Sequence, residues 1–174
     1  IAWEEVAAKV SPLTRAITVV HYGGYPCDME PILEVARNHD LRVVEDAAHA
    51  VGATYKGKKC GTIGDVGCFS FFANKNLSTG EGGMVVTNDD DLAERIRVMR
   101  SHGMTTLTWD RHRGHGYSYD VTDLGYNYRT SEIASALGIV QLRRLEQNNA
   151  KRKRIADRYR NALEGIEGIG CPFS

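Results

Sequence analysis

The stretch "SFFANKNLSTGEGG", residues 70–83, sets one lysine, Lys75, among small, polar and glycine residues directly after a strand-like apolar run. A lysine there gains little from packing. Its useful chemistry is nucleophilic, because a neutral amine condenses with a carbonyl carbon as a Schiff base. Ser70, Thr79 and Gly80 offer hydroxyls and backbone N–H groups of the kind that cradle a phosphate. A second candidate, Asp46 in "VVEDAAHA", follows a β-branched run, and His49 comes three residues later. Each has an ordinary reading beside the chemical one. A strand-end aspartate commonly caps the next turn, a histidine packs on a helix, a lysine is solvated, and "TGEGG" lacks the spacing of a dinucleotide fingerprint or a P-loop.

The elements that must position these groups are read from periodicity. "WEEVAAKV" has helical spacing, with Trp3, Val6, Ala7 and Val10 on one side. A β-branched run predicts a strand over 16–20, "DMEPILEVARNHD" is a helix with Asp28 placed to cap it, and "LRVVED" is a second strand. Strand, helix and strand with short connections make a βαβ unit, so the class is α/β, with a mostly parallel sheet covered by helices on both faces. "ATYKGKK" predicts a hairpin turning at Lys56 and Gly57. "DVGCFSFF" and "GGMVVTN" are two more strands, and "DDDLAERIRVMRSHG" is a capped helix closing at Gly103. Residues 104–130 show no period. A long helix then runs from Ser131, its N-cap, to Leu163, with a bend expected near "QNNAK".

In an open parallel sheet, ligands bind beyond the carboxyl ends of the strands. Asp46 and Lys75 both follow such ends and therefore share one crevice. A lysine amine, a carboxylate and phosphate donors together are what pyridoxal phosphate requires. The lysine holds the cofactor aldehyde, and the carboxylate keeps a proton on the pyridine nitrogen so that the ring can accept electrons.

Composition excludes other classes. The 22 basic and 22 acidic residues cancel, so no overall field draws the chain to nucleic acid or to an anionic membrane. The 42% hydrophobic and 25% charged content is that of an ordinary globular domain. No apolar run approaches the roughly 20 residues that span a bilayer, and the acidic start "IAWEEVAAKV" is unlike a signal peptide, so a cytoplasmic protein is expected. Cys27, Cys60, Cys68 and Cys171 form no C-x-x-C pair and are expected as free thiols. The two histidines of "HRGH" (112–115) have no evident third ligand, so no metal site is expected. The basic run "QLRRLEQNNAKRKRIADRYR" is read as a solvated helix face rather than a nucleic-acid patch, since only Tyr159 is interleaved for stacking.

The segment "VVEDAAHAVGATYKGKKCGTIGDVGCFSFFANKNLSTGEGGMVVTND", with "VHYGGYPCDMEPILEVARNHDLRVVEDAAHA" before it and "LGYNYRTSEIASALGIVQLRRLE" after it, closely resembles the DegT/DnrJ/EryC1/StrS family of sugar aminotransferases. The resemblance implies the fold-type I, aspartate-aminotransferase-like large domain, a three-layer α/β/α architecture. Carried over by position, it implies that Lys75 forms the Schiff base and shuttles protons, and that Asp46 pairs with the pyridine nitrogen. His49 would lie against the cofactor ring, Ser70 would bind the phosphate, and Asn127 would reach the phosphate held by the neighbouring subunit of a homodimer. The implied reaction moves an amino group from an amino acid, usually glutamate, to a nucleotide-linked keto sugar in two half-reactions.

Family members usually carry further residues before "VHYGGYP" and a smaller carboxyl-terminal domain after the long helix. The chain therefore reads as the central piece of a large domain, with 1–147 part of the cofactor-binding domain and 148–174 leading toward the small one. Two alternatives share the superfamily. One is a sugar dehydratase, in which histidine replaces the lysine that this chain keeps at 75; the other is a non-catalytic homologue that binds sugar nucleotides. "TTLTWDRHRGHGYSYD" has no assignment.

Overall fold

The structure, a computed structural model, describes residues 1–105 and 120–172. Helix α1 (Trp3–Lys9) leads into strand β1 (Ala16–Val20), and a short 3-10 turn at Tyr22–Gly24 leads to helix α2 (Met29–Asn38). Strand β2 (Arg42–Asp46), the small hairpin strands β3 (Thr54–Tyr55) and β4 (Lys58–Lys59), and strands β5 (Val66–Ser70) and β6 (Gly83–Val86) follow. Helix α3 (Asp90–Met99) and the long helix α4 (Glu132–Leu163) complete the order. The main sheet runs β1-β2-β5-β6; the first two pairings are parallel and the last is antiparallel.

Period-2 burial decides which face of β1 and β2 carries the core. Ile17, Val19 and Val43 point to α2 and meet its apolar stripe of Met29, Ile32, Val35 and Ala36. Val6 and Ala7 of α1 and Val10 just after it close this core from outside, while Trp3, expected on the same side, stays 42% exposed. Thr18 and Val20 point the opposite way and are exposed within this chain.

Most local signals hold. The hairpin turns at Lys56 and Gly57, both at positive φ, which is the geometry a two-residue connection between twisted strands needs. Asp89 caps α3 by accepting from the Leu92 amide at 2.9 Å, and Ser131 caps α4 by accepting from Ala134 at 3.2 Å. Three expectations are corrected. Asp28 sits at the N-cap position of α2 but makes no capping bond; its carboxylate instead accepts from the Tyr55 hydroxyl, a partner brought by the hairpin. Helix α3 stops at Met99, because His102 and Gly103 both take positive φ and the amides of Ser101 and Gly103 turn back to Val98. Helix α4 runs as one helix through 147–151, where a bend was expected. Of the unassigned stretch 105–120, residues 106–119, which include "HRGH", lie outside the described residues.

Candidate active site

β2 ends at Asp46 and β5 ends at Ser70, and the register pairs Asp46 with Cys68. The two strand ends are thereby joined at one edge, a joint extended by the Ala47 amide donating to the Cys68 carbonyl at 2.9 Å. Burial and the nearby charge of Asp46 push the Cys68 thiol up from its ordinary pKa. Asp46 itself is half-buried. Its Oδ1 accepts from the Ala48 amide at 3.0 Å, so it does cap the turn that follows; its other oxygen has no partner among the described residues.

His49 is exposed on that same turn. Its Nδ1 accepts from the Gly23 amide at 3.3 Å, which places the ring hydrogen on Nε2, and its ring meets Tyr22 edge-on at 5.9 Å. The 3-10 turn after β1 therefore orients a histidine that belongs to the turn after β2.

Lys75 is half-buried in the loop that follows β5. Phe71 donates to the Gly82 carbonyl at 2.8 Å, Thr79 to Phe71 at 2.9 Å and Lys75 to Phe72 at 3.0 Å, which closes the loop at its base. The Lys75 amine has no hydrogen-bond or ion-pair partner among the described residues. The phosphate donors expected nearby differ in availability. Thr79 donates its hydroxyl to the Glu81 carbonyl at 2.7 Å and the Gly80 amide donates to Ser78 at 3.1 Å, so both serve the loop itself. Ser70 only accepts, from the Phe72 amide at 3.4 Å, and its O–H remains available.

A free amine on Lys75, an uncommitted oxygen on Asp46 and the O–H of Ser70 form a donor set that fits pyridoxal phosphate. Asn127 stands elsewhere. It is exposed, bridges to Ser101 beyond α3, and its Oδ1 accepts from Arg129 at 3.1 Å. It lines an open groove of about 1190 Å³ between β6, α3 and the start of α4, a groove that Asp46, His49, Ser70 and Lys75 do not line.

One group the motif reading passed over is the most deeply set. Glu45, beside Asp46, is wholly buried. Its Oε1 accepts from the amides of Ile63 and Gly64, both at 2.6 Å, and its Oε2 accepts from the Gly61 amide at 2.7 Å and from His21 Nε2 at 2.9 Å. Burial works to raise its pKa, but His21 and the amides of Gly64, Gly61 and Ile63 outweigh it and hold the carboxyl below its ordinary value. For His21, burial opposes a charge and Glu45 favours one; the Cys27 amide, donating into Nδ1 at 3.1 Å, decides for the neutral ring with its hydrogen on Nε2. The period-2 pattern that sends Val43 inward sends Glu45 inward too, which was the one available signal for it.

These strand ends belong to a fold shared with aminotransferases. DesV of S. venezuelae, solved in complex with a ketimine intermediate, matches all of this chain and 44% of its own length, with a TM-score of 0.89 and 38% identity. Among curated relatives, the spore coat polysaccharide biosynthesis protein SpsC of Bacillus subtilis is 48% identical over 97% of this chain and 44% of SpsC. The GDP-perosamine synthase of Caulobacter vibrioides is 48% identical over 91% of this chain and 40% of the enzyme. Residues 1–173 match the DegT/DnrJ/EryC1/StrS aminotransferase family, and the chain belongs to it. It spans less than half the length of these relatives.

Proposed function

We propose that the protein containing this chain is a pyridoxal phosphate-dependent sugar aminotransferase that carries an amino group from an amino acid, glutamate, to a nucleotide-linked keto sugar. The observation that carries this reading is the partnerless amine of Lys75 in the loop after β5, tied through the next residue to the turn that follows Asp46: Asn76 Nδ2 donates to the Val51 carbonyl at 2.8 Å. When bound, the cofactor would supply an electron-accepting ring, and residues of this chain would hold it and move protons. Lys75 provides the amine that anchors the cofactor and, once released, takes and returns a proton at its Nζ. Asp46 offers its uncommitted oxygen to a ring N–H, and a carboxylate there stabilises the protonated ring.

His49, fixed by Gly23 and Tyr22, would present its ring to the cofactor, and Ser70 would donate to the phosphate. Asn127, away from these groups in its own chain, would complete the site of a second subunit. The protein would then be a homodimer with shared sites. Residues 1–147 would form part of the cofactor-binding domain and 148–174 the lead toward a smaller one, although α4 crosses that boundary unbroken. No helix among the described residues is long and apolar enough to cross a membrane, in keeping with a cytoplasmic protein.

The test is Lys75→Ala in the full-length protein. Transamination of nucleotide-linked keto sugars and borohydride trapping of the cofactor on residue 75 should both disappear while the fold is kept; retained turnover would overturn the reading. A mixed dimer of one Lys75→Ala and one Asn127→Ala subunit should recover one working site of two, and no recovery would argue against sharing.

A further inference from the structure

We infer that Asn76 and Asn149 form a clamp that positions Lys75 against the turn carrying Asp46 and His49, so that α4 sets the geometry of a site to which it contributes no reacting group. The inference rests on the reading of Lys75 as the cofactor-bearing lysine.

The clamp is a three-way junction. Asn76 Nδ2 donates to the Val51 carbonyl at 2.8 Å and to Asn149 Oδ1 at 3.2 Å, while Asn149 Nδ2 donates to the same carbonyl at 3.1 Å. Three segments far apart in the chain thus meet at one backbone oxygen: the loop of Lys75, the turn after Asp46, and the middle of α4. The Val51 carbonyl lies outside the sheet, and a partly buried carbonyl must find donors somewhere. It finds two, and both come from side chains whose backbones belong to the other two segments.

The neighbourhood is shaped for this contact. Gly52 sits at φ +88°, and a Cβ there would lie 2.8 Å from Asn149 Nδ2 and 3.5 Å from Leu145. A side chain there would displace the Asn149 amide from the Val51 carbonyl. Farther up the helix, a Cβ on Gly138 would come 3.3 Å from the Thr79 methyl. Gly138, Leu145 and Asn149 fall on one face, and the ends of this stripe are roughly 16 Å apart at 1.5 Å per residue. Helix α4 therefore touches the lysine loop at two points, Asn76 and Thr79, on either side of the buried Leu77.

The clamp forgoes some stability to keep its geometry. Asn76 Oδ1 is buried with no partner among the described residues. Turning the amide over would set that oxygen against the Val51 and Asn149 oxygens. An amide held with one end unsatisfied is a costly way to dock a helix, and apolar side chains would do that more cheaply. Hydrogen bonds fix direction as well as distance, and a lysine that must reach one carbon atom needs both.

The experiment uses the full-length protein and three changes: Asn149→Ala, Asn76→Ala and the two combined. Asn149→Asp keeps an acceptor for Asn76, but it replaces the donation to Val51 with a carboxylate oxygen facing that carbonyl and adds a negative charge at a half-buried position. In cofactor-free protein, the rate of Lys75 acylation by acetic anhydride is read by peptide mass spectrometry, with the exposed Lys9 of α1 as the internal control. In the loaded protein, the dissociation constant for pyridoxal phosphate is read from the absorption of the bound cofactor. Asn149→Ala should change Lys75 labelling severalfold while Lys9 stays constant, and should weaken the cofactor about tenfold, with a melting temperature close to that of the parent. Asn149→Asp should change both readouts at least as much as Asn149→Ala, and the double alanine variant should be no worse than the worse single one, because the two side chains act as a unit. Parental Lys75 labelling and cofactor affinity in Asn149→Ala would overturn the clamp, whatever happens to the melting temperature. If the parent itself never bonds the cofactor through Lys75, the functional reading fails, and the labelling of cofactor-free protein still decides the clamp.

Discussion

Ile32 of α2 and Val19 of β1 are wholly buried against each other's elements, whereas Ile133 and Leu142 of α4 are 84% and 61% exposed. Both regions are regular structure with apolar residues at element spacing, yet α4 contains no buried residue in this chain. Residues 1–46 are held by an apolar core whose members are near in sequence. Helix α4 is held by a half-buried stripe and by the hydrogen bonds of Asn149. The two modes of attachment have different consequences. Damage in the first region should appear as lost stability, and damage in the second as altered site geometry.

The sharpest way to press that contrast is Glu45→Gln, because Glu45 joins the core to the candidate site. Each carboxylate oxygen accepts two hydrogens, so the amide nitrogen of a glutamine would face two donors in either orientation. Leaving buried donors unanswered typically costs about 1–3 kcal/mol each. Urea unfolding should record a loss of that size; a loss no greater than that of a surface change would mean that water enters the 61–64 loop freely. Acid should act on the same group. A carboxyl held below its ordinary value in the fold stabilises the protein above the unfolded value and loses that contribution as pH falls through the folded one. The contribution of Glu45 should therefore be level near neutrality and decline below about pH 4.5, the ordinary value for this carboxyl. In Glu45→Gln the decline should be shallower, and an unchanged slope would assign the acid sensitivity to other carboxylates such as Asp65, which the Val43 amide and Arg42 hold low against burial.

Ile32→Ala tests the apolar side of the comparison alone. Ile32 is 0% exposed where α2 meets the sheet, and removing its outer carbons should leave a cavity and cost about 2–5 kcal/mol. Cofactor affinity measured where the variant remains folded should match the parent. A change in affinity larger than the change in stability would blur the division between the two regions.

What the sequence made legible follows the same division. β1, α2 and β2 were readable because their period is local and their burial follows it, and the positions of Asp46 and Lys75 after strand ends came from that frame. The α3 boundary was misjudged because Gly103 is a stronger stop signal than His102, and the positive φ of His102 has no signature in composition. The cap expected of Asp28 was taken over by Tyr55, a residue 27 positions away. Asn76 and Asn149 were invisible for the same reason, since their contact spans 73 residues and neither lies in a periodic apolar pattern. Glu45 was masked by the chemistry of its neighbour Asp46, although strand alternation already pointed it inward.

The smallest expected effect comes from Ile133→Ala, in the first turn of α4. The side chain is 84% exposed, so little transfer free energy is lost on shortening it, and alanine is the better helix former because it surrenders no side-chain entropy. The two terms oppose each other and are individually small, so unfolding of this chain should change by no more than about 0.5 kcal/mol. The same change made in the full-length protein is the more telling half of the experiment. Ile133 follows Ser131, which lines the groove shared with Asn127 and Met84. If the full-length protein loses as much from Ile133→Ala as from Ile32→Ala, then the exposed face of α4 is a core surface completed by another segment or subunit, and the contrast between the two regions belongs to the chain and not to the assembled protein. If the loss stays small there as well, α4 is held by its stripe and by Asn149 in the whole protein too, and the geometry of the lysine loop depends on very few contacts.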